Sequence, residues 1–218
     1  MKVFGFPLSP FVRKVHVIAA EKGIAVQMVL SRPGVADPEF EAASPFRKIP
    51  ALQDGDFNLS DSTAIVTYLD AVQPESPITP GTPQQRAKAI WFEEFADTLL
   101  IAAGGKVLFN RFVGPTFMGL TGDEALAQQG LAELVPLLDY LESEAAKGGW
   151  LTGGEFSIGD VAVACTLRSL GYVQLEPDAA KHPHTAAWYD RVRARPSWQK
   201  VAAQEAAVMD RVMSAPAA

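Results

Sequence analysis

Cysteine is nearly absent, with Cys165 alone among 218 residues. One thiol closes no internal disulfide and builds no Cys-ligated zinc site, and its solitude fits a reducing compartment. Histidine is almost as scarce: His16, His182 and His184 have no Cys, His or carboxylate partner at metal-ligand spacing, so no metal is expected. Basic charge is in deficit, 19 Lys and Arg against 25 Asp and Glu, for a net charge of -6. Nucleic-acid binding rests on a basic surface that this chain lacks. No apolar run reaches the roughly 20 residues of a membrane span. Met1–Phe6 is ended by Pro7 before it has the length of a signal peptide. The expectation is a cytoplasmic protein with neither a nucleic acid nor a membrane as partner.

What is present is an ordinary globular composition, 48% hydrophobic and 20% charged. At about 100–200 residues per domain, the length allows one large domain or two small ones. Proline decides between them. Pro74, Pro77, Pro80 and Pro83 crowd one short stretch, and because proline fixes φ and removes an amide donor, the stretch reads as a stiff linker. We expect domains at 1–73 and 84–218, joined by 74–83.

The two halves differ in kind. In the first, Lys2–Phe6 and Val26–Leu30 are apolar runs of strand length, and Phe11, Val15, Ile18 and Ala19 recur between them at helical spacing. Pro50–Gln53 then leads through the hairpin signal Asp54-Gly55 to Asp56–Leu59, and Ala64, Ile65, Tyr68 and Leu69 mark a closing helix. The order βαβ-ββα predicts a small α/β sheet domain. In the second half only amphipathic helical runs remain: Pro83–Val113, Asp123–Lys147, Ile158–Tyr172, Pro183–Ala194 and Trp198–Met213. Ser157 and Asp160 form a short-armed capping box at the start of a run that is apolar nearly all round, a central helix with a structural role. Gly104-Gly105 interrupts a helix at a cost of about 2 kcal/mol relative to Ala. A kink is expected there, or a close approach by a ligand or a partner subunit.

Phe6–Val15 with Ser9-Pro10-Phe11 at its centre, then Glu21-Lys22-Gly23, Lys48-Ile49-Pro50, Asp61-Ser62, Ser157 with Asp160, and finally Trp188 and Arg195-Pro196, resemble the cytosolic glutathione transferases. The Ser-Pro-Phe start is similar to the serine-type classes, the plant tau class most closely, with many bacterial relatives. The resemblance spans essentially the whole chain. It implies a thioredoxin-like domain followed by an all-α domain, a homodimer, and glutathione as co-substrate in conjugation of a hydrophobic electrophile, a detoxification chemistry.

It also implies roles for particular residues. Ser9 would donate its hydroxyl to the glutathione sulfur; the plainer reading of the same residue is an N-cap ahead of Pro10. The two roles are compatible, because a serine oxygen accepts from the helix while its proton goes elsewhere. A Ser at this position cannot form the mixed disulfides that a Cys would, so thiol–disulfide exchange is disfavoured. Ser62 at a helix start would receive the γ-glutamyl carboxylate and Asp61 the ammonium. In the family the latter position is more often Glu. Lys48 would meet the glycyl carboxylate, and Ile49-Pro50 matches the family's cis-proline, although sequence alone favours trans. A second glutathione-contacting Lys of tau-like relatives has no match, the region around Arg32 and Val35 being different. The electrophile would lie between the two halves, against Phe11, Ile101, Phe109 and Phe112, with Phe117 closing over them. Two alternatives stay open. One is a glutathione-dependent isomerase, lyase, dehalogenase or peroxidase on the same scaffold. The other is a non-catalytic binding module, favoured by Asp61 and by the missing Lys.

Overall fold

A computed structural model describes residues 1–31 and 37–214. Four short strands, β1 (Lys2–Gly5), β2 (Gln27–Leu30), β3 (Ala51–Asp54) and β4 (Phe57–Ser60), form one mixed sheet in the order β2-β1-β3-β4. β1 is parallel to β2 and antiparallel to β3, and β3 is antiparallel to β4. The expected hairpin is present but its loop is shifted by one residue: Asp54 pairs with Phe57 as the last residue of β3, so the two-residue loop is Gly55-Asp56 rather than Asp54-Gly55. Gly55 sits at φ 59°, a conformation that costs glycine nothing.

Helix α1 (Pro10–Glu21) carries the crossover from β1 to β2, and α3 (Ser62–Val72) follows β4. The expected order lacks one element, α2 (Pro38–Ala43). Six residues are too few for a hydrophobic period, so only its start could have betrayed it: Asp37 accepts from the amides of Glu39 and Phe40, with Pro38 in the first turn. Phe40 is buried against Phe4, their ring centroids 6.1 Å apart.

In the second unit, Ile78–Arg193, every regular element among the described residues is helical. Thr82 opens α4 (Pro83–Glu94) with a capping box to Gln85. The chain runs on through a π-helical segment, Phe95–Leu100, into α5 (Ile101–Leu108), through a second, Phe109–Val113, and into α6 (Gly114–Met118). Then come α7 (Glu124–Ala145), α8 (Ile158–Leu170) and α9 (Pro183–Arg193). As expected, α8 is central, every residue but Arg168 being buried. Its Gly159 lets α4 approach: a Cβ there would stand 2.8 Å from the Ala89 carbonyl oxygen. The reading of Gly104-Gly105 is corrected. A Cβ on Gly104 would meet Leu170 of α8 at 2.6 Å, so the close approach is internal helix packing, and the departures from α geometry flank the glycine pair.

The last helix, α10 (Pro196–Ser214), reads in sequence like its predecessors but clusters with the first unit, Met1–Pro77 and Ala194–Ala218, and this differs from the partition at 84–218. Charge explains it. Arg195 donates two bonds of 2.7 Å to Glu21 of α1, Ser197 donates to the same carboxylate, and Arg13 pairs with Glu205. Although burial raises the Glu21 carboxyl, these donors hold it below its usual range.

Burial of His16 on α1 has a consequence for stability. Its Nε2 has no hydrogen-bond partner among the described residues, and burial lowers its pKa from 6.5 to about 4. The native state therefore holds the ring neutral where the unfolded chain would protonate it. Stability is intact above the unfolded value and is lost as pH falls from 6.5 towards 4, by about 3 kcal/mol over the window. Urea titrations from pH 7.5 to 4 are expected to show this loss in the parent and to show it reduced by about that amount in His16→Leu. Parallel curves for the two proteins would refute the assignment.

Candidate functional site

Strand register brings the expected glutathione residues to one end of the sheet. Phe4 of β1 lies opposite Ala51 of β3, and Ala51 lies opposite Ser60 of β4. The loop to Ser9 leaves β1 just past this row, Ile49-Pro50 enters β3 just before it, and Asp61-Ser62 follows β4 immediately. Helices α1 and α3, which pack together, both begin here, so two helix N-termini with their partial positive charge share one end of the sheet.

Ser9 caps α1. Its Oγ accepts from the Val12 amide at 3.4 Å, a long bond, and its own amide donates to the Phe6 carbonyl at 3.0 Å to close a turn through Pro7 and Leu8. The side chain is half-buried and its proton is not spent on the cap.

The Ile49-Pro50 peptide is cis. Before it, Ser44 fixes the backbone of Lys48 from both sides: the Lys48 amide donates to Ser44 Oγ at 2.9 Å, and the same hydroxyl donates to the Lys48 carbonyl at 2.7 Å. The Lys48 side chain is exposed, and Ile49 packs beside Phe4, Phe40 and Ala51. Asp61 stands at φ 85°, a left-handed conformation that a non-glycine residue holds at a cost of about 1–3 kcal/mol and that clusters at functional positions. Its Oδ1 accepts from the amides of Thr63 and Ala64 at 2.9 and 3.0 Å, so the carboxylate caps α3. Ser62, first in that helix, is buried. Sequence reasoning missed Lys14, a buried cation of α1 whose Nζ lies 3.5 Å from Thr63 Oγ1, and it missed the work of Arg13. Two adjacent cations inside an apolar helix were the available signal.

The residues expected to hold the electrophile divide between the units. Phe11, two residues past Ser9, belongs to the first; Ile101, Phe109 and Phe112 belong to the second. Phe109 and Phe112 both fall in the second π-helical segment, an irregularity frequent at functional sites. Phe112 stacks on Tyr172 at 5.0 Å with the planes 8° apart and meets Phe117 edge-on at 5.7 Å. Arg168 lies 4.7 Å from the centre of the Tyr172 ring. Phe109 is 44% exposed. The segment around Arg32 lies outside the described residues. Among those described, no three His, Cys, Asp or Glu side chains converge as a metal site, and no helix is long and apolar enough to cross a membrane.

Residues 3–77 match the model of the glutathione S-transferase N-terminal domain, and residues 123–191 match that of the C-terminal domain. The chain belongs to the glutathione S-transferase family. It is 31% identical over 209 residues to glutathione S-transferase 3 of Zea mays, covering 93% of each chain, and 28% identical to glutathione S-transferase F10 of Arabidopsis thaliana, covering 91% of this chain and 94% of that one. These plant relatives are phi-like. Among solved structures, a glutathione S-transferase from Rhodospirillum rubrum superposes with a TM-score of 0.84 at 26% identity, covering 92% of this chain and 90% of that one. Glutathione S-transferase I of maize, solved with an atrazine–glutathione conjugate, superposes with a TM-score of 0.83 at 27% identity, covering 94% and 97%. The architecture is the family's, a thioredoxin-like sheet domain and an all-α domain, and the protein is a glutathione transferase that uses glutathione as co-substrate.

Proposed function

We propose that this transferase is of the serine type, with Ser9 donating its hydroxyl to the glutathione thiolate, which attacks a hydrophobic electrophile. The observation that carries the reading is the register Phe4–Ala51–Ser60, which sets the Ser9 loop, the cis-proline and the α3 start side by side. The amide and hydroxyl of Ser62 receive the γ-glutamyl carboxylate at the α3 N-terminus. The Ile49 backbone pairs with the cysteinyl peptide, and Lys48 meets the glycyl carboxylate. Asp61 holds the ammonium while it caps α3. The strained backbone at Asp61 supports this use, since an exposed helix cap alone gives no reason to hold an aspartate at positive φ. The reading needs a serine at this position, not membership of the tau or phi class as such.

Within the second unit, Ile101, Phe109 and Phe112 offer the acceptor an apolar surface. The maize structure solved with an atrazine–glutathione conjugate supports an aromatic electrophile of that kind. A cytoplasmic homodimer acting in detoxification completes the proposal, on the family's example and on a single cysteine that is buried.

Thermal unfolding with and without reduced glutathione tests the site. A ligand at about 100 times its Kd stabilises by about 2.7 kcal/mol, or roughly 5–10 °C in a chain of this size. No upward shift would remove the glutathione site from the proposal. Asp61→Asn separates the two uses of that residue, because Asn caps a helix and tolerates positive φ but carries no charge. We expect an unchanged melting temperature and glutathione affinity about tenfold lower, as befits the loss of one charge-assisted hydrogen bond. Equal affinity by calorimetry would refute the ammonium contact.

A further inference from the structure

Arg13 is 3% exposed and stands four residues after Ser9. It holds the Ser9 loop twice. Its amide donates to the Ser9 carbonyl at 3.0 Å, the opening bond of α1, and its guanidinium Nη2 donates to the Pro7 carbonyl at 3.1 Å. Pro7 and Leu8 are the corners of the turn that the Ser9 amide closes on Phe6, and both are buried. A corner carbonyl points away from the turn's own donor, so the Pro7 oxygen takes its partner from outside. Arg13 supplies it, and Glu205 of α10 fixes Arg13 in turn, accepting from Nε at 2.7 Å with the two side chains 2% and 4% exposed.

Stability alone gives little reason for such a pair, because taking two charges out of water offsets most of their attraction and well-packed apolar residues serve as well. Geometry gives a better one. The planar fork of arginine offers donors in fixed relative directions, so a guanidinium whose Nε is locked on Glu205 holds its Nη2–H on one point in space. That point is the carbonyl two residues before the hydroxyl. We propose that the Arg13–Glu205 pair is a positioning device for Ser9, clamping the Phe6–Ser9 turn so that the serine Oγ–H is held in the direction of the glutathione sulfur. The C-terminal helix thereby takes part in thiol activation without touching glutathione. The proposal rests on the serine-type reading above.

The test compares four proteins: the parent, Ser9→Ala, the double variant Arg13→Met with Glu205→Leu, and the triple combination. The double variant removes both charges and leaves neither stranded in the core. In each protein the ionisation of bound glutathione is followed by its thiolate absorbance, and kcat is measured against pH. Small displacements at a reacting centre cost up to about a hundredfold. The double variant is expected to keep glutathione affinity within about threefold of the parent, to raise the bound thiol's pKa by about half a unit to one unit, and to lower kcat about 3- to 10-fold near neutral pH, with convergence at high pH. Because the device acts through the Ser9 hydroxyl, adding the double substitution to Ser9→Ala should shift the pKa no further, the non-additivity of groups that work as a unit. Where the double variant does not fold, Glu205→Gln carries the test; it keeps an acceptor for Nε, drops the charge, and is expected to give a smaller shift in the same direction. A parental pH profile in folded Arg13/Glu205 variants overturns the proposal, as does a full additional shift on top of Ser9→Ala. An unchanged profile in Ser9→Ala itself overturns the serine-type reading instead.

Discussion

Ser9→Ala is expected to raise the pKa of enzyme-bound glutathione by about one to two units and to slow conjugation near pH 6.5 by about 10- to 100-fold. A free thiol of this kind ionises near pH 8.5, and holding it two units lower takes about 2.7 kcal/mol of preference for the thiolate. A hydrogen bond to a charged group supplies about 1.5–3 kcal/mol, and a helix N-terminus about 0.3–1, or up to about 2 when partly buried. Hydroxyl and helix start together reach the required sum, and the hydroxyl is the larger share. The sign follows directly: without the donor a smaller fraction of thiol is ionised at neutral pH, while above the free pKa both proteins hold thiolate and the rates converge. A second variant, Ser9→Gly, removes the hydroxyl at a cap position where glycine costs only a few tenths of a kcal/mol. It should match Ser9→Ala in profile and the parent in melting temperature. The 3.4 Å length of the Val12–Ser9 bond already argues that the cap contributes little. Profiles that coincide with the parent at every pH would end the case for Ser9.

That Ser9 caps a helix was legible because a cap is local chemistry, one side chain ahead of one proline. The turn at Gly55 and the Asp160 box are local in the same sense. What the residues could not disclose is non-local. Ser9, Pro50 and Ser62 share an end of the sheet only because β1 pairs with β3 rather than with β4, and a single sequence carries no signal for that choice. Nor does Asp61 announce its positive φ, which belongs to the bend from β4 into α3. The last helix shows the limit most clearly. Its amphipathic pattern says that it buries one face but not against what, whereas Glu21 with Arg195 and Ser197, and Arg13 with Glu205, pairs separated by 174, 176 and 192 residues, tie it to the first unit.

Asp160→Ala is expected to cost at least about 3 kcal/mol and roughly 10 °C in melting temperature, because it strands several buried donors at once. Oδ1 accepts from the Leu151 amide at 3.0 Å and from the Trp188 indole at 2.8 Å; Oδ2 accepts from the Ser157 amide at 3.1 Å and its hydroxyl at 3.0 Å. One carboxylate thus ties together the loop before α8, the start of α8 and the core face of α9, and both Asp160 and Trp188 are wholly buried. Each orphaned donor costs about 1–3 kcal/mol, against a total stability of about 5–15. Asp160→Asn should cost less than Ala, since its carbonyl still accepts on one side while its amide group meets the Ser157 donors on the other. Burial pushes the Asp160 carboxyl above its ordinary range despite these four donors. A raised native pKa means that the folded protein holds the proton more tightly than the unfolded chain, so this residue's contribution is fully present below the unfolded value and falls as pH rises through the native one. Asp160 therefore does not drive acid unfolding, and the acid loss assigned to His16 should persist in a folded Asp160→Asn protein. The glutathione affinity of that protein, measured well below its melting temperature, should equal the parent's. A melting temperature unchanged in Asp160→Ala would contradict the anchoring role, and a glutathione defect in folded Asp160→Asn would show that the box does more than hold α8 in place.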